Sequence, residues 1–244
     1  MMRPEPALRS TPAHAGAHVA GPIPSGRSGY WLILALAATA YAFSAVQATT
    51  DPSPWALTVQ LLTVAVVLRV TEVRERVQHI AWVILALAAA ATVVVGVLGT
   101  GGRGLDIVLS AASVIAFLIA PVAIIRHQVR RRGVDIEALL AAIAAYVLVG
   151  MFFTLLYNLV ALLTVAPTFG SDVVDSLSTQ LFFSFTTLTT TGYGNIVPVS
   201  SGVQAIAVAE AITGQLFLIT AVARIMRSAR RPPPGADASH EGAS

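Results

Sequence analysis

Cysteine and lysine are both absent from the 244 residues. Without cysteine there is no disulfide framework, no thiolate metal site and no cysteine nucleophile. Charge is scarce as well: 11% of residues are charged, against roughly 25% in a soluble domain. Disorder needs the opposite balance, much charge and few apolar groups. Here 56% of residues are hydrophobic and mean hydropathy is +0.77. All fifteen basic residues are Arg, set against twelve acids, for a net charge of +3. The pI near 9.8 therefore reflects arginine with few acids rather than a nucleic-acid-binding face, and no nucleic-acid partner is expected. No phosphate loop, metal-ligand cluster or catalytic triad is found, and His14, His18, His79, His127 and His240 are scattered. Neither enzyme chemistry nor an organic cofactor is expected. What the composition describes is an integral membrane protein.

A helix needs about 20 apolar residues to cross the hydrocarbon core. Six stretches qualify or come close: Tyr30–Ala48, Trp55–Leu68, Ile80–Leu98, Leu105–Ile125, Ala138–Val165 and Val203–Ile225. The second is the shortest. Pro121 is expected to kink the fourth near its end. Arginine sets the orientation. Arg3, Arg9 and Arg27 precede the first span, and Arg69, Arg74 and Arg76 separate the second from the third. Arg126, Arg130, Arg131 and Arg132 separate the fourth from the fifth, and Arg224, Arg227, Arg230 and Arg231 close the sixth. Only Arg103 falls on the other side, so six spans with both termini cytoplasmic satisfy the positive-inside rule. Tyr30, Trp31, Trp55 and Trp82 stand at span ends, where interfacial aromatics are expected. Val46-Gln47-Ala48 has the form of a signal-peptide cleavage site. The preceding run is long for a signal sequence and starts far from the N-terminus, so an uncleaved first span is expected.

Between the fifth and sixth spans lies SDVVDSLSTQLFFSFTTLTTTGYGNIVP, residues 171–198, without a single Lys or Arg. Ser176–Leu188 is apolar enough to enter a membrane but too short to cross one. Asp172 or Asp175 is expected to cap its N-terminus. Consecutive threonines and Gly-Tyr-Gly follow. Non-helical backbone at membrane depth survives only where protein or a water-filled path satisfies its polar groups. The pattern therefore calls for a half-helix that dips in and a loop that returns beside a pore. Gly192 and Gly194 can take backbone angles that bulky residues avoid, turning successive carbonyls toward one axis. Four such strands would replace an ion's hydration shell with rings of oxygen, and the Thr190 hydroxyl would add one more. The partial negative charge at the helix C-terminus favours a cation below it.

TTTGYGN resembles the potassium-channel signature T-x-G-Y-G-D. The resemblance implies a selectivity filter of Thr190, Thr191, Gly192, Tyr193 and Gly194, whose carbonyls hold K+, with Ser176–Thr189 as pore helix. Flanking helices included, it covers Val134 to Ser228. Thr191 replaces the usual Val and its hydroxyl changes bonding behind the filter. Asn195 replaces the usual Asp and removes a charge at the outer mouth. The preceding four helices resemble the layout of six-span, single-pore-loop prokaryotic channels in number only. The fold expected is an all-α membrane protein with six transmembrane helices and a re-entrant pore helix and filter loop between the fifth and sixth. Its parts are a disordered cytoplasmic N-terminus (1–29), a four-helix membrane domain (30–133), a pore domain (134–228) and a disordered cytoplasmic tail (229–244).

The fourth span carries no Arg at intramembrane spacing, so Arg126, Arg130, Arg131 and Arg132 read as a topology signal with a secondary attraction to anionic lipid, not as a voltage sensor. Glu210 is the notable ionisable residue within a span. With Thr213, Gly214, Phe217, Thr220 and Ala221 it falls near one helix face, read as the cavity-facing stripe of the inner helix. Two roles are open for Glu210 there: concentrating cations, or hydrogen-bonding behind the filter. Packing against the fifth span through Asn158 is the structural alternative. Gly214 has the placement of an inner-helix glycine hinge, with close helix packing as the equal alternative. One chain supplies one filter strand, so a homotetramer in the cell membrane is expected. The function expected is passive, potassium-selective conduction. A weakly selective cation channel and a non-conducting membrane sensor or accessory subunit are the rival readings.

Overall fold

The computed structural model describes residues 27–47, 54–71, 102–130, 136–170 and 173–229, together with Trp82, Val83, Ala86 and Ala90. Among the described residues six helices are defined: α1 (Arg27–Val46), α2 (Pro54–Val70), α3 (Arg103–Arg130), α4 (Ile136–Leu163), α5 (Leu177–Leu188) and α6 (Ser201–Ala229). Four are long and apolar enough to cross a membrane, over Gly29–Val46, Arg103–Val129, Ile136–Leu163 and Ser201–Arg224. They correspond to the first, fourth, fifth and sixth expected spans. The second is the 17-residue α2, at the lower limit for spanning. It opens on Pro54, whose missing N–H costs nothing at a first helical position. The third, Ile80–Leu98, lies outside the described residues except for Trp82, Val83, Ala86 and Ala90, which are helical. The expected tails also lie outside them, save that α1 begins at Arg27 and α6 runs to Ala229. Helix α3 passes through Pro121 and continues to Arg130.

Small residues set how closely the helices approach. Ala37 and Ala40 of α1, Ala116 and Ala120 of α3, and Ala141, Ala144 and Ala145 of α4 are buried in one core with Tyr30, Leu68, Phe117 and Met151. Among the described residues the pairing of α3 with α4 is the most extensive, and α1 packs on both α4 and α5. Tyr30 belongs to this core and not to the membrane interface expected for it. It is 1% exposed and accepts a hydrogen bond from Gln128 Nε2 at 3.0 Å. Trp31, one residue on, points outward. Trp82 is also partly exposed, with the Arg69 guanidinium over its ring.

A second, aromatic cluster joins α4, α5 and α6. Tyr157, Phe169 and Phe183 meet ring to ring at centroid distances of 4.9–6.1 Å, with Val149, Phe153, Leu188 and Val203 around them. Phe169 bridges to Pro198, which closes the loops on either side of α5 against each other. Helix α6 is buried along one line, Val203, Glu210 and Gly214, and exposes Val208, Ile212, Leu216, Ile219 and Val222.

Arg103, at the start of α3, has a structural task. Arg103 Nε and Nη2 donate to the Leu162 carbonyl at 3.2 and 3.1 Å, and Nη2 also reaches Thr164 O. A cation is thereby placed on the last carbonyls of α4, where the helix dipole is negative. Replacing Arg103 with Gln should cost about 1 kcal/mol or less. Thermal unfolding in detergent checks this, and a midpoint equal to wild type would show that solvent serves those carbonyls as well.

Candidate functional site

Helix α5 is 12 residues long, about 18 Å at 1.5 Å per residue. It begins because Ser176, in extended conformation, accepts from the Thr179 amide at 3.2 Å. The serine, not an aspartate, is thus the N-cap. Asp175 instead accepts from the Thr168 amide at 3.0 Å, and Asp172 lies outside the described residues. A serine hydroxyl caps as well as a carboxylate, and the chain direction before Ser176 commits Asp175 to the neighbouring loop.

At its other end α5 stops in a Schellman motif. The Thr190 amide bonds Thr187 O at 3.0 Å and the Thr191 amide bonds Thr186 O at 2.8 Å. Thr190 sits at the left-handed position with φ +58°, where glycine is usual and a β-branched residue is strained. The Gly192 amide adds a third bond, 3.1 Å to Thr186 O. The sequence marks the glycines for unusual backbone and Thr190 for its hydroxyl, not for a left-handed conformation. Thr190, Gly192 and Gly194 have φ of +58°, +52° and +77°, and the residues between them do not. Backbone of alternating hand gathers successive amides on one side and leaves the carbonyls on the other. Gly192 and Gly194 have nothing within 4 Å of where a Cβ would lie, so what they supply here is conformation.

Thr190 through Asn195 are exposed on this single chain. Tyr193 stacks on Phe182 at 5.7 Å and 14° between ring planes. Thr189 donates to Phe185 O at 2.6 Å, and its oxygen lies 2.9 Å from that of Thr191. The Phe185 carbonyl can only accept, so the Thr191 hydroxyl gives its hydrogen to Thr189. Valine at position 191 has no means to make that tie.

The pore-helix candidate is clamped from both flanks. From α4, Tyr146 donates to Leu188 O at 3.0 Å, and Gly150 lies so close to the Phe185 ring that a Cβ would sit 2.7 Å from Cζ. From α6, a Cβ on Gly214 would run into the Leu188 carbonyl oxygen. Close packing is therefore what Gly214 does in this arrangement. Glu210 is fully buried. Its Oε2 accepts from Tyr157 at 2.8 Å, and its Oε1 is 2.5 Å from Ser184 Oγ.

This corrects the reading of the α6 stripe. Glu210 and Gly214 face α4 and α5 within the chain, and Phe217 packs at 5.3 Å on Tyr146. Thr213 and Thr220 are exposed and bond their own helix backbone. A face drawn by spacing alone joins residues that lie on either side of the packing line. Asn158 is not the partner of Glu210. It donates to Ser110 of α3 at 3.1 Å, and the tyrosine before it takes that role. Of the arginines expected to meet lipid, Arg126 is exposed at the end of α3, Arg130 closes that helix, and Arg131 and Arg132 lie outside the described residues.

Residues 141–231 match the ion channel family model. The matched segment begins within α4 and takes in α5, the alternating loop and all of α6. No curated protein and no solved structure matches the chain significantly. The Glu210, Tyr157, Ser184, Tyr146 and Gly150 contacts all fall inside the matched segment. Sequence reasoning missed four of those five. A signal existed for the three on α4, Tyr146, Gly150 and Tyr157, since hydroxyls and a glycine are unusual in so apolar a helix.

Proposed function

We propose that the chain conducts K+ passively through a pore formed by four copies, with the backbone of Thr190, Thr191, Gly192, Tyr193 and Gly194 as the selectivity filter. The observation that carries this reading is the alternation of φ sign over Thr190–Gly194 at the end of a helix too short to span. Carbonyls ranked on one side replace the water around a dehydrated cation. One chain provides only one such side, so a closed ring of copies completes the cage. The apolar residues that α6 exposes and the open face of the loop support assembly around that axis. Asn195 at the outer mouth leaves the backbone cage uncharged there, and Thr191 tethers it. Purified protein in liposomes should pass K+ in strong preference to Na+, read from the reversal potential under opposed gradients. Equal permeability would favour a weakly selective cation channel, and absence of flux a non-conducting membrane subunit.

Gating by voltage should be weak. Helix α3 has Arg103 at its start and Arg126 and Arg130 at its end, with no Arg between. Each full charge moved across the field is worth only about 2.3 kcal/mol per 100 mV, so an arginine-free span delivers little. A steep conductance–voltage curve in the absence of blocking ions would overturn this expectation.

A further inference from the structure

We propose that Glu210 is a positioning residue: by holding Ser184 of the pore helix and Tyr157 of the outer helix at once, its carboxyl keeps the filter loop in the conducting conformation. The proposal rests on the channel reading above and assigns a control point to that same site. Glu210 stands on α6, yet both of its hydroxyl partners stand on other elements, Tyr157 on α4 at 2.8 Å and Ser184 on α5 at 2.5 Å. A single carboxyl therefore pins three helices at one point, in a site from which solvent is excluded.

Ser184 is two residues before Thr186, whose carbonyl holds the amides of Thr191 and Gly192. Displacing Ser184 therefore displaces the anchor of the loop. Ser184 Oγ also lies 2.9 Å from Gly150 O. A hydroxyl has one hydrogen, and two oxygens here compete for it. Gly150 O already accepts from Thr154 Oγ1 at 2.9 Å, so that hydrogen can serve Glu210 without stranding the carbonyl. If α6 moves and carries the carboxyl away, the buried Tyr157 hydroxyl loses its acceptor, and Ser184, left with Gly150 O alone, no longer ties the pore helix to α6. Buried hydroxyls without partners are costly, so the position of α6 is felt at the loop.

The side-chain chemistry separates this role from a charge exposed in the conduction path. Glutamine keeps an oxygen to accept from Tyr157 and an amide to donate to Ser184, which releases the serine hydrogen to Gly150 O. Leucine fills similar space but can do neither. Single-channel recording in planar bilayers is the test. Glu210→Leu, Ser184→Ala and Tyr157→Phe should each shorten the time spent conducting by about tenfold relative to the non-conducting state. Unitary conductance and K+ preference should stay as in wild type. Glu210→Gln should remain within about threefold of wild type, and Glu210→Leu combined with Ser184→Ala should be far less than additive.

If Glu210→Leu fails to assemble, Ser184→Ala and Tyr157→Phe, each a one-oxygen deletion, decide the matter alone. Unchanged dwell times in both, in a channel that passes K+, overturn the proposal and leave the channel reading standing. A fall in unitary conductance in Glu210→Gln also overturns it, because that is the mark of a charge facing the ions. Wild-type protein that passes no K+ overturns the channel reading and the proposal with it.

Discussion

Gly192→Ala and Gly194→Ala should each abolish K+-selective conduction while the protein still inserts and keeps its helix content. Both glycines adopt positive φ, +52° and +77°. An L-residue there suffers a cost of about 1–2 kcal/mol, because Cβ crowds the following carbonyl. Among the described residues nothing lies within 4 Å of where either Cβ would be, so the penalty is conformational and the fold outside the loop is spared. Thr190 already bears one such strain at φ +58°, offset by the hydrogen bonds that close the helix end. A second strained residue per chain, repeated around the axis, should turn the affected peptide away and break the row of carbonyls. Liposome flux under opposed K+ and Na+ gradients, with circular dichroism for helix content, reads both halves of the prediction. Wild-type selectivity in either variant would sink the filter assignment.

The second large effect is expected at Gly214. Its Cα lies against the C-terminal end of α5, and an added Cβ would meet the Leu188 carbonyl oxygen and come within 3.1 Å of Leu188 Cδ1. That oxygen is also the acceptor for Tyr146, so it cannot retreat without breaking a hydrogen bond. Overpacking against backbone typically costs about 1–3 kcal/mol, and here it falls on the helix that carries the loop. Gly214→Ala should lower the unfolding temperature in detergent and remove most conduction. Gly202→Ala, on the same helix where a Cβ has open space, is the matched control and should be close to neutral. Equal behaviour of the two variants would show that α6 does not rest on Leu188 in the working protein. Stability equal to wild type in Gly214→Ala, with only opening impaired, would restore the hinge reading.

Much of this was open to a reader of the sequence, for reasons that are local. A helix either has enough apolar residues to span a membrane or has not, so the lengths of α1, α3, α4 and α6, and the shortness of α5, follow from counting. Gly-Tyr-Gly after a threonine run announces unusual backbone because only glycine takes left-handed angles freely. Even so, the alternation begins at a threonine, because the closing turn of α5 places that residue in the left-handed position whatever its side chain prefers. Ser176 took the cap from Asp175 because the path of the preceding loop, which no propensity records, had already directed Asp175 to Thr168.

Composition and spacing by themselves determined that this is a helical membrane protein, where its apolar runs lie and which backbone is exceptional, since each of those properties is written in consecutive residues. Tertiary structure alone decided what the polar groups between those runs do. Helix α4 is apolar on every side, so periodicity cannot say which face meets α5, and the rotation that brings Tyr157 and Gly150 to Ser184 is set by three helices packing together. The same packing turned Tyr30 inward toward Gln128, left Asn158 to Ser110, and divided the α6 stripe between Glu210 and Gly214 on the buried side and Thr213 and Thr220 on the exposed one. A residue three or four positions away on a helix is a neighbour by geometry, but its partner across the interface depends on how the helices are rotated and spaced, and only the assembled fold holds that information.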